Sequence, residues 1–211
     1  MNVIVDDNIA AIDPAVALTA VSDDRRTKAL RYLREDDRRG CVAAYLLLRA
    51  AWHAEVGEEP LPPVVYDSRG KPALDGHNDI YISLSHTTGA AAAVVGCEPV
   101  GVDIERITLP ERDVIDHVMN EREQAGIYND ADPAIAFTRL WTMKESLLKL
   151  TGEGLRNDMR TVLADDDIYH FDIKQMSHHI CTVCYRRETS VKDPSRCLWS
   201  THYQFRDRNR S

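Results

Sequence analysis

Residues 137–150 read FTRLWTMKESLLKL. At helical spacing Phe137, Leu140, Trp141, Leu147 and Leu148 form one apolar stripe, with Lys144 near its middle. A lysine there is costly unless an anion meets it. Glu145 lies at the edge of the stripe and Lys149 one turn further on, so a carboxylate and two ammonium groups converge beside a hydrophobic wall. That combination suits a site for a metal and a phosphate. It equally suits a packed helix whose lysines snorkel and whose Glu145 and Lys149 form an ordinary pair four residues apart.

Outward from this helix, Thr151-Gly152-Glu153-Gly154 is a glycine-rich stop, and the tail reads as strands over 168–173, 179–185 and 198–205, ending in a polar RDRNRS. Upstream, 111–128 reads as a helix with a break near Met119 and Asn120. Before it, 80–85 alternates as a strand that delivers His86, 90–95 is an apolar strand, and 100–105 a third. The three are expected to form an antiparallel meander. In the last, Val100, Val102 and Ile104 share one face, while Gly101, Asp103 and Glu105 share the other. Two adjacent carboxylates repel, and a cation between them relieves that cost. Exposed acids on a surface strand have the same alternation.

Further upstream, Asp67 to Pro72 (DSRGKP) is rich in turn-forming residues, and 64–66 and 2–5 are short strands. Ser22 followed by Asp23 and Asp24 is a helix start. The helix that follows is basic over 25–39 and apolar over 42–53, with Gly40 expected to break it. Its arginines are either a solvated face balanced by Glu35, Asp36 and Asp37 or an anion-binding surface.

The chain has 211 residues, enough for one large domain or two small ones, and with 44% hydrophobic and 28% charged residues it reads as a globular protein. No apolar run approaches the length that spans a bilayer, and the N-terminus lacks a signal-peptide pattern, so no membrane association and a cytoplasmic location are expected. A net charge of −8 argues against nucleic acid as a partner but leaves room for a small anion held by a local basic cluster. Five scattered cysteines fit reduced thiols. Cys181 and Cys184, after His178 and His179, raise zinc, but three-residue spacing on a strand puts the thiols on opposite faces.

Taken in order, Gly70-Lys71-Pro72, Ser85-His86-Thr87, Gly101-Val102-Asp103-Ile104-Glu105 and Trp141-Thr142-Met143-Lys144-Glu145-Ser146 with Lys149 resemble the phosphopantetheinyl transferases, in their surfactin-synthetase-activating, monomeric class. The similarity reaches back to Arg34-Glu35-Asp36-Asp37-Arg38-Arg39 and covers roughly residues 25 to 160.

The resemblance implies an α+β fold of two similar halves, 1–98 and 99–211, each a helix packed on a small antiparallel sheet. A pseudo-twofold axis would relate them, with the site at their interface. It implies transfer of the 4'-phosphopantetheine arm of coenzyme A to a serine of an apo acyl or peptidyl carrier protein, releasing adenosine 3',5'-bisphosphate. By position, Asp103, Glu105 and Glu145 would hold magnesium, Lys144 and Lys149 would contact coenzyme phosphates, Ser85, His86 and Arg39 would lie at the ribose phosphate, and Lys71 and Pro72 at the nucleotide end. Glu145 is the candidate base, with Lys149 beside it. Arg25, Arg26 and Lys28 are expected at the mouth, and Val118, Met119 and Ile127 are either a carrier-docking patch or core. Two readings stay beside this one: a non-catalytic coenzyme A or carrier-protein binding module, and a magnesium hydrolase acting on nucleotides.

Overall fold

The computed structural model describes residues 1–57, 60–154, 158–164, 166–186 and 204–207. The chain runs through β1 (Asn2–Asp6), α1 (Pro14–Ala17), α2 (Asp23–Leu30), α3 (Glu35–Glu55), β2 (Val64–Tyr66), β3 (Pro72–Leu74), β4 (Tyr81–Thr87) and β5 (Ala90–Gly96). It continues through β6 (Val100–Arg106), α4 (Arg112–Val118), α5 (Glu121–Asn129), α6 (Pro133–Thr151), β7 (Tyr169–Gln175), β8 (His179–Arg186) and β9 (Gln204–Asp207). The fold is α+β.

Two sheets carry it. The first has the order β4-β5-β1-β9 and the second β6-β8-β7, with β2 and β3 forming a separate hairpin. In each sheet the first strand in sequence pairs antiparallel with the last of a β-hairpin that follows a long helix: β1 with β5 after α3, and β6 with β8 after α6. The same topology is thus written twice, and the segment 97–99 joins the copies. β9 pairs parallel with β1.

The alternation of each strand assigns its two faces to two cores. Ile4, Ala91, Ala93 and Val95 face α3, whose Leu48, Ala51 and Trp52 are fully buried against them. Alanines on the strand let the helix approach closely, so the bulk of Trp52 fits without a void. The opposite faces, Val3, Val5, Ala92 and Val94 from one sheet and Val100, Val102, Ile104 and Val183 from the other, close on each other. A third core lies under α4, α5 and α6, around Ile115, Met119, Ile127, Leu147 and Leu150. Burying a leucine-sized side chain contributes about 2 kcal/mol, so each core is a substantial term.

Three expectations change. The 25–39 helix is two helices, and Gly40 lies inside α3 rather than at a break. The three acids Glu35, Asp36 and Asp37 occupy the first turn of α3, where the positive end of the helix favours them, and this moves the boundary upstream. The meander is a two-stranded hairpin, because the free edge of β5 is taken by β1 and β6 pairs with β8 instead. Of the two readings open for Val118, Met119 and Ile127, the structure takes the core one, since the break at Met119 turns α4 and α5 so that all three are buried with α6. Of the strand expected over 198–205, residues 198–203 lie outside the described residues, as do Cys197 and 208–211.

The break at Met119 is built by Asn120, whose side chain accepts from Glu123 N while Glu123 Oε2 accepts from Asn120 N, a reciprocal cap. Cys181 and Cys184 sit on opposite faces of β8, in different cores, and burial raises both thiols, Cys184 to about 12. Such thiols are protonated and inert. No helix among the described residues is long and apolar enough to cross a membrane.

Candidate active site

The site forms where β6 passes beneath α6. Gly101 makes this possible: a Cβ there would stand 1.9 Å from the Ser146 carbonyl oxygen and 2.6 Å from Leu150 N. With no side chain at 101, α6 rests directly on β6, and Asp103, two residues on, meets Lys149 from the helix.

Lys149 Nζ donates to Asp103 Oδ1 at 2.6 Å and to Ser85 Oγ at 2.8 Å, and Ser85 Oγ donates to the same Asp103 oxygen at 2.8 Å. Ser85 comes from β4, so this triangle joins both sheets and α6. Asp103 is buried, and its Oδ2 has no hydrogen-bond partner among the described residues. A buried carboxylate oxygen without a partner is costly unless a cation or donor arrives.

Two more carboxylates feel the charge of Asp103. Burial, then the charge of Asp103, pushes Glu105 up to about 7, against the Thr87 hydroxyl and Lys149, which pull it down. Burial and Asp103 likewise raise Glu145. A hard divalent cation with oxygen ligands would relieve these penalties together. The acids therefore suit magnesium by chemistry and by charge, although no group of three among the described residues stands as a finished metal cage.

Beside the acids opens a cavity of about 310 Å³ with a different character. Among the described residues Arg25, Lys28, Arg69, Lys71 and Lys149 line it, against the single carboxylate Glu145. Arg25 is held by α3: its guanidinium lies 5.0 Å over the Tyr45 ring and Nη1 donates to Cys41 Sγ at 3.5 Å. Lys28 Nζ lies 4.3 Å over the Tyr66 ring. This basic wall favours a polyanion despite the acidic whole.

His86 also lines the cavity, wedged against α3 at Gly40, where a Cβ would stand 2.3 Å from the imidazole Cδ2. Burial lowers its pKa first, and Lys149 and Arg25 lower it further, so at neutral pH it is an uncharged imidazole. Lys71 and Pro72 line the opposite side, past a turn in which Gly70 has φ of 85° and Asp67 accepts from Arg69 N and Lys71 N. Lys71 Nζ donates to the Leu150 carbonyl at the end of α6.

Two candidates lie elsewhere. Arg39 pairs with Glu35 and Asp36 and donates to the Ile12 carbonyl, because the acidic first turn of α3 lies within its reach; it does not line the cavity. Lys144 is fully buried on another side of α6, 2.9 Å from Glu123 Oε2 and 2.8 Å from the Met159 carbonyl, so its ammonium does not reach the cavity either. Arg26 turns to the Leu18 carbonyl and Asp23. Ser83, which accepts from Val102 N, escapes notice in the sequence; its signal is the same β4 alternation that presents Ser85.

A family model described as the 4'-phosphopantetheinyl transferase superfamily matches residues 99–202. A 4'-phosphopantetheinyl transferase of Bacillus subtilis is 26% identical over 141 residues, covering 65% of this chain and 63% of the relative. The 4'-phosphopantetheinyl transferase gsp of Aneurinibacillus migulanus is 28% identical over 139 residues, with 64% and 57% covered. The 4'-phosphopantetheinyl transferase psf-1 of Bacillus pumilus is 32% identical over 144 residues, with 64% and 59% covered. The chain thus matches somewhat under two thirds of the length of these relatives. Over these residues the chain is thus similar to the 4'-phosphopantetheinyl transferase superfamily, and its ordered motifs and the acids gathered at Asp103 agree with that similarity.

Proposed function

We propose that this protein transfers the 4'-phosphopantetheine arm of coenzyme A to a serine hydroxyl of an apo acyl or peptidyl carrier protein. The observation that carries the reading is a cavity lined by five cations beside the Asp103 oxygen that has no partner among the described residues, with Glu105 and Glu145 raised by burial and by Asp103. Relatives named for this activity support it.

In this reading Arg25, Lys28, Lys71 and the neutral His86 hold the phosphate-bearing nucleotide end, and Lys149 faces the pyrophosphate. The carrier serine oxygen attacks the phosphorus that bears the pantetheine arm. A new P–O bond forms, the bond to the bridging oxygen breaks, and adenosine 3',5'-bisphosphate leaves with that electron pair. The serine proton passes to Glu145 or to a water that Glu145 orients. Magnesium held by Asp103, Glu105 and Glu145 would supply charge stabilisation at the pyrophosphate oxygens. Lys149 adds to that stabilisation from the other side.

The same reading divides the chain into halves 1–98 and 99–211 related by a pseudo-twofold axis, which the doubled strand-helix-hairpin topology supports. It also makes the protein a cytoplasmic monomer that takes an apo carrier as partner. Incubating the protein with coenzyme A, magnesium and a panel of apo carrier domains, then weighing each carrier by mass spectrometry, tests the proposal. A carrier gaining the mass of the arm supports it. A folded protein that binds coenzyme A and modifies no carrier would support the non-catalytic binding module instead, and free phosphopantetheine without carrier modification would indicate a hydrolase.

A further inference from the structure

Lys144 is among the largest fully buried side chains among the described residues, and no part of the proposed chemistry uses it. Its ammonium meets Glu123 Oε2 at 2.9 Å and the Met159 carbonyl at 2.8 Å. Glu123 Oε2 is not a free acceptor: it also receives Asn120 N at 2.9 Å, closing the cap that starts α5. Asn120 Nδ2 in turn donates to the Arg160 carbonyl at 3.3 Å, one residue beyond Met159. Lys144, Glu123, Asn120 and the 3-10 turn Met159–Thr161 thus form one hydrogen-bonded network linking α6 to the two segments packed behind it.

A buried ion pair is a poor way to gain stability, because desolvation consumes most of the attraction. Leucine and methionine would fill the same space. A charged pair adds direction, since the ammonium must point at Glu123 or be left buried alone. Successive residues on a helix diverge by about 100°, so Lys144 and Glu145 leave α6 on different sides. The first enters the core behind the helix and the second lines the cavity, on the side shared by Lys149 one turn on. Turning α6 to bring Lys144 to a ligand would carry Glu145 away from Asp103.

We propose that Lys144 is a positioning residue, which through Glu123 and the Met159 carbonyl fixes the rotation of α6 that aims Glu145 and Lys149 at the reacting phosphate. The inference rests on the transferase reading above and assigns this lysine no contact with coenzyme A.

The test compares wild type, Lys144→Met, Glu123→Met and the double variant in the intact protein. Coenzyme A affinity is measured by calorimetry, and kcat and KM by carrier modification. Positioning predicts a kcat lowered about 10- to 100-fold in Lys144→Met, since a small misalignment at the reacting atoms is costly, with coenzyme A affinity within about threefold of wild type. Glu123→Met, which never approaches the cavity, lowers kcat comparably. The double variant is no worse than the poorer single variant, because neither charge is then stranded. If Lys144→Met fails to fold, the double variant carries the same affinity comparison. Tenfold weaker coenzyme A binding in either Lys144 variant, with Glu123→Met unaffected, overturns the proposal and makes the lysine a ligand contact. Full kcat in Lys144→Met, or strictly additive effects in the double variant, also overturns it. A wild type that binds coenzyme A and modifies no carrier refutes the transferase reading instead.

Discussion

Lys149 Nζ stands 2.6 Å from one oxygen of Asp103 and leaves the other buried with no partner among the described residues. One side of this carboxylate is thus satisfied by the protein and the other waits for a cation. Asp103→Asn keeps the shape and removes that charge. Carrier modification is expected to fall on the order of 100-fold or more, given that even changes to residues that only hydrogen-bond a metal's ligands cost about 10- to 100-fold. Coenzyme A should still bind the basic wall in calorimetry. Modification at the wild-type rate would exclude Asp103 as a metal ligand.

The acids make stability depend on pH and magnesium together. Glu105 is raised from its ordinary 4.5 to about 7, so without metal the folded protein keeps a proton that the unfolded chain gives up across that window. The folded state binds more protons there, and stability therefore falls as pH rises from about 4.5 to about 7. Magnesium cancels the repulsion that ionisation creates. Its stabilisation, read as the difference in melting temperature between magnesium and EDTA, should be larger at pH 8 than at pH 5. Equal differences at both would sever the acids from metal binding.

Gly101→Ala tests the seat of α6 on β6. The added methyl would meet the Ser146 carbonyl and Leu150 N, both backbone, so no side-chain rotation relieves it. A cost of about 3 kcal/mol or more is expected. In a chain of this size that is a melting temperature lower by roughly 6 °C or more, and transfer should fall with it as α6 is pushed off β6. A variant as stable and active as wild type would refute the contact.

Gly40→Ala tests His86 separately. Here the new methyl meets the imidazole ring, which must move into the cavity. Coenzyme A affinity is expected to weaken about tenfold while kcat at saturating coenzyme changes less. Equal loss in both parameters would place His86 nearer the chemistry than the nucleotide end.

Much of the architecture is legible from local pattern. Alternation over 100–105 separates Val100, Val102 and Ile104 from Gly101, Asp103 and Glu105, and the structure puts the first set between the sheets and the second toward α6. Spacing on the 137–150 helix likewise puts Lys149 one turn beyond Glu145, on one side of α6. The fold class follows from such periodicities, because main-chain geometry alone sets them. The helix boundary at 31–34 was obscured because a basic run masks the acids that start α3.

What spacing does not carry is the choice among partners. Spacing puts Lys144 in the apolar stripe and Lys149 one turn beyond Glu145, but it does not say which anion each meets; packing sends one to Glu123 and the other to Asp103 and Ser85. Arg39 and Arg25 look alike in a basic stretch, but Glu35 and Asp36 retain the first while Tyr45 turns the second into the cavity. Pairing of β6 with β8 instead of β5 also depends on which edge β1 has already filled. The sequence by itself determined the elements, the faces and the ordered motifs of the family. Tertiary structure alone decided which charge meets which, since desolvation and distance between residues far apart in the chain set that outcome.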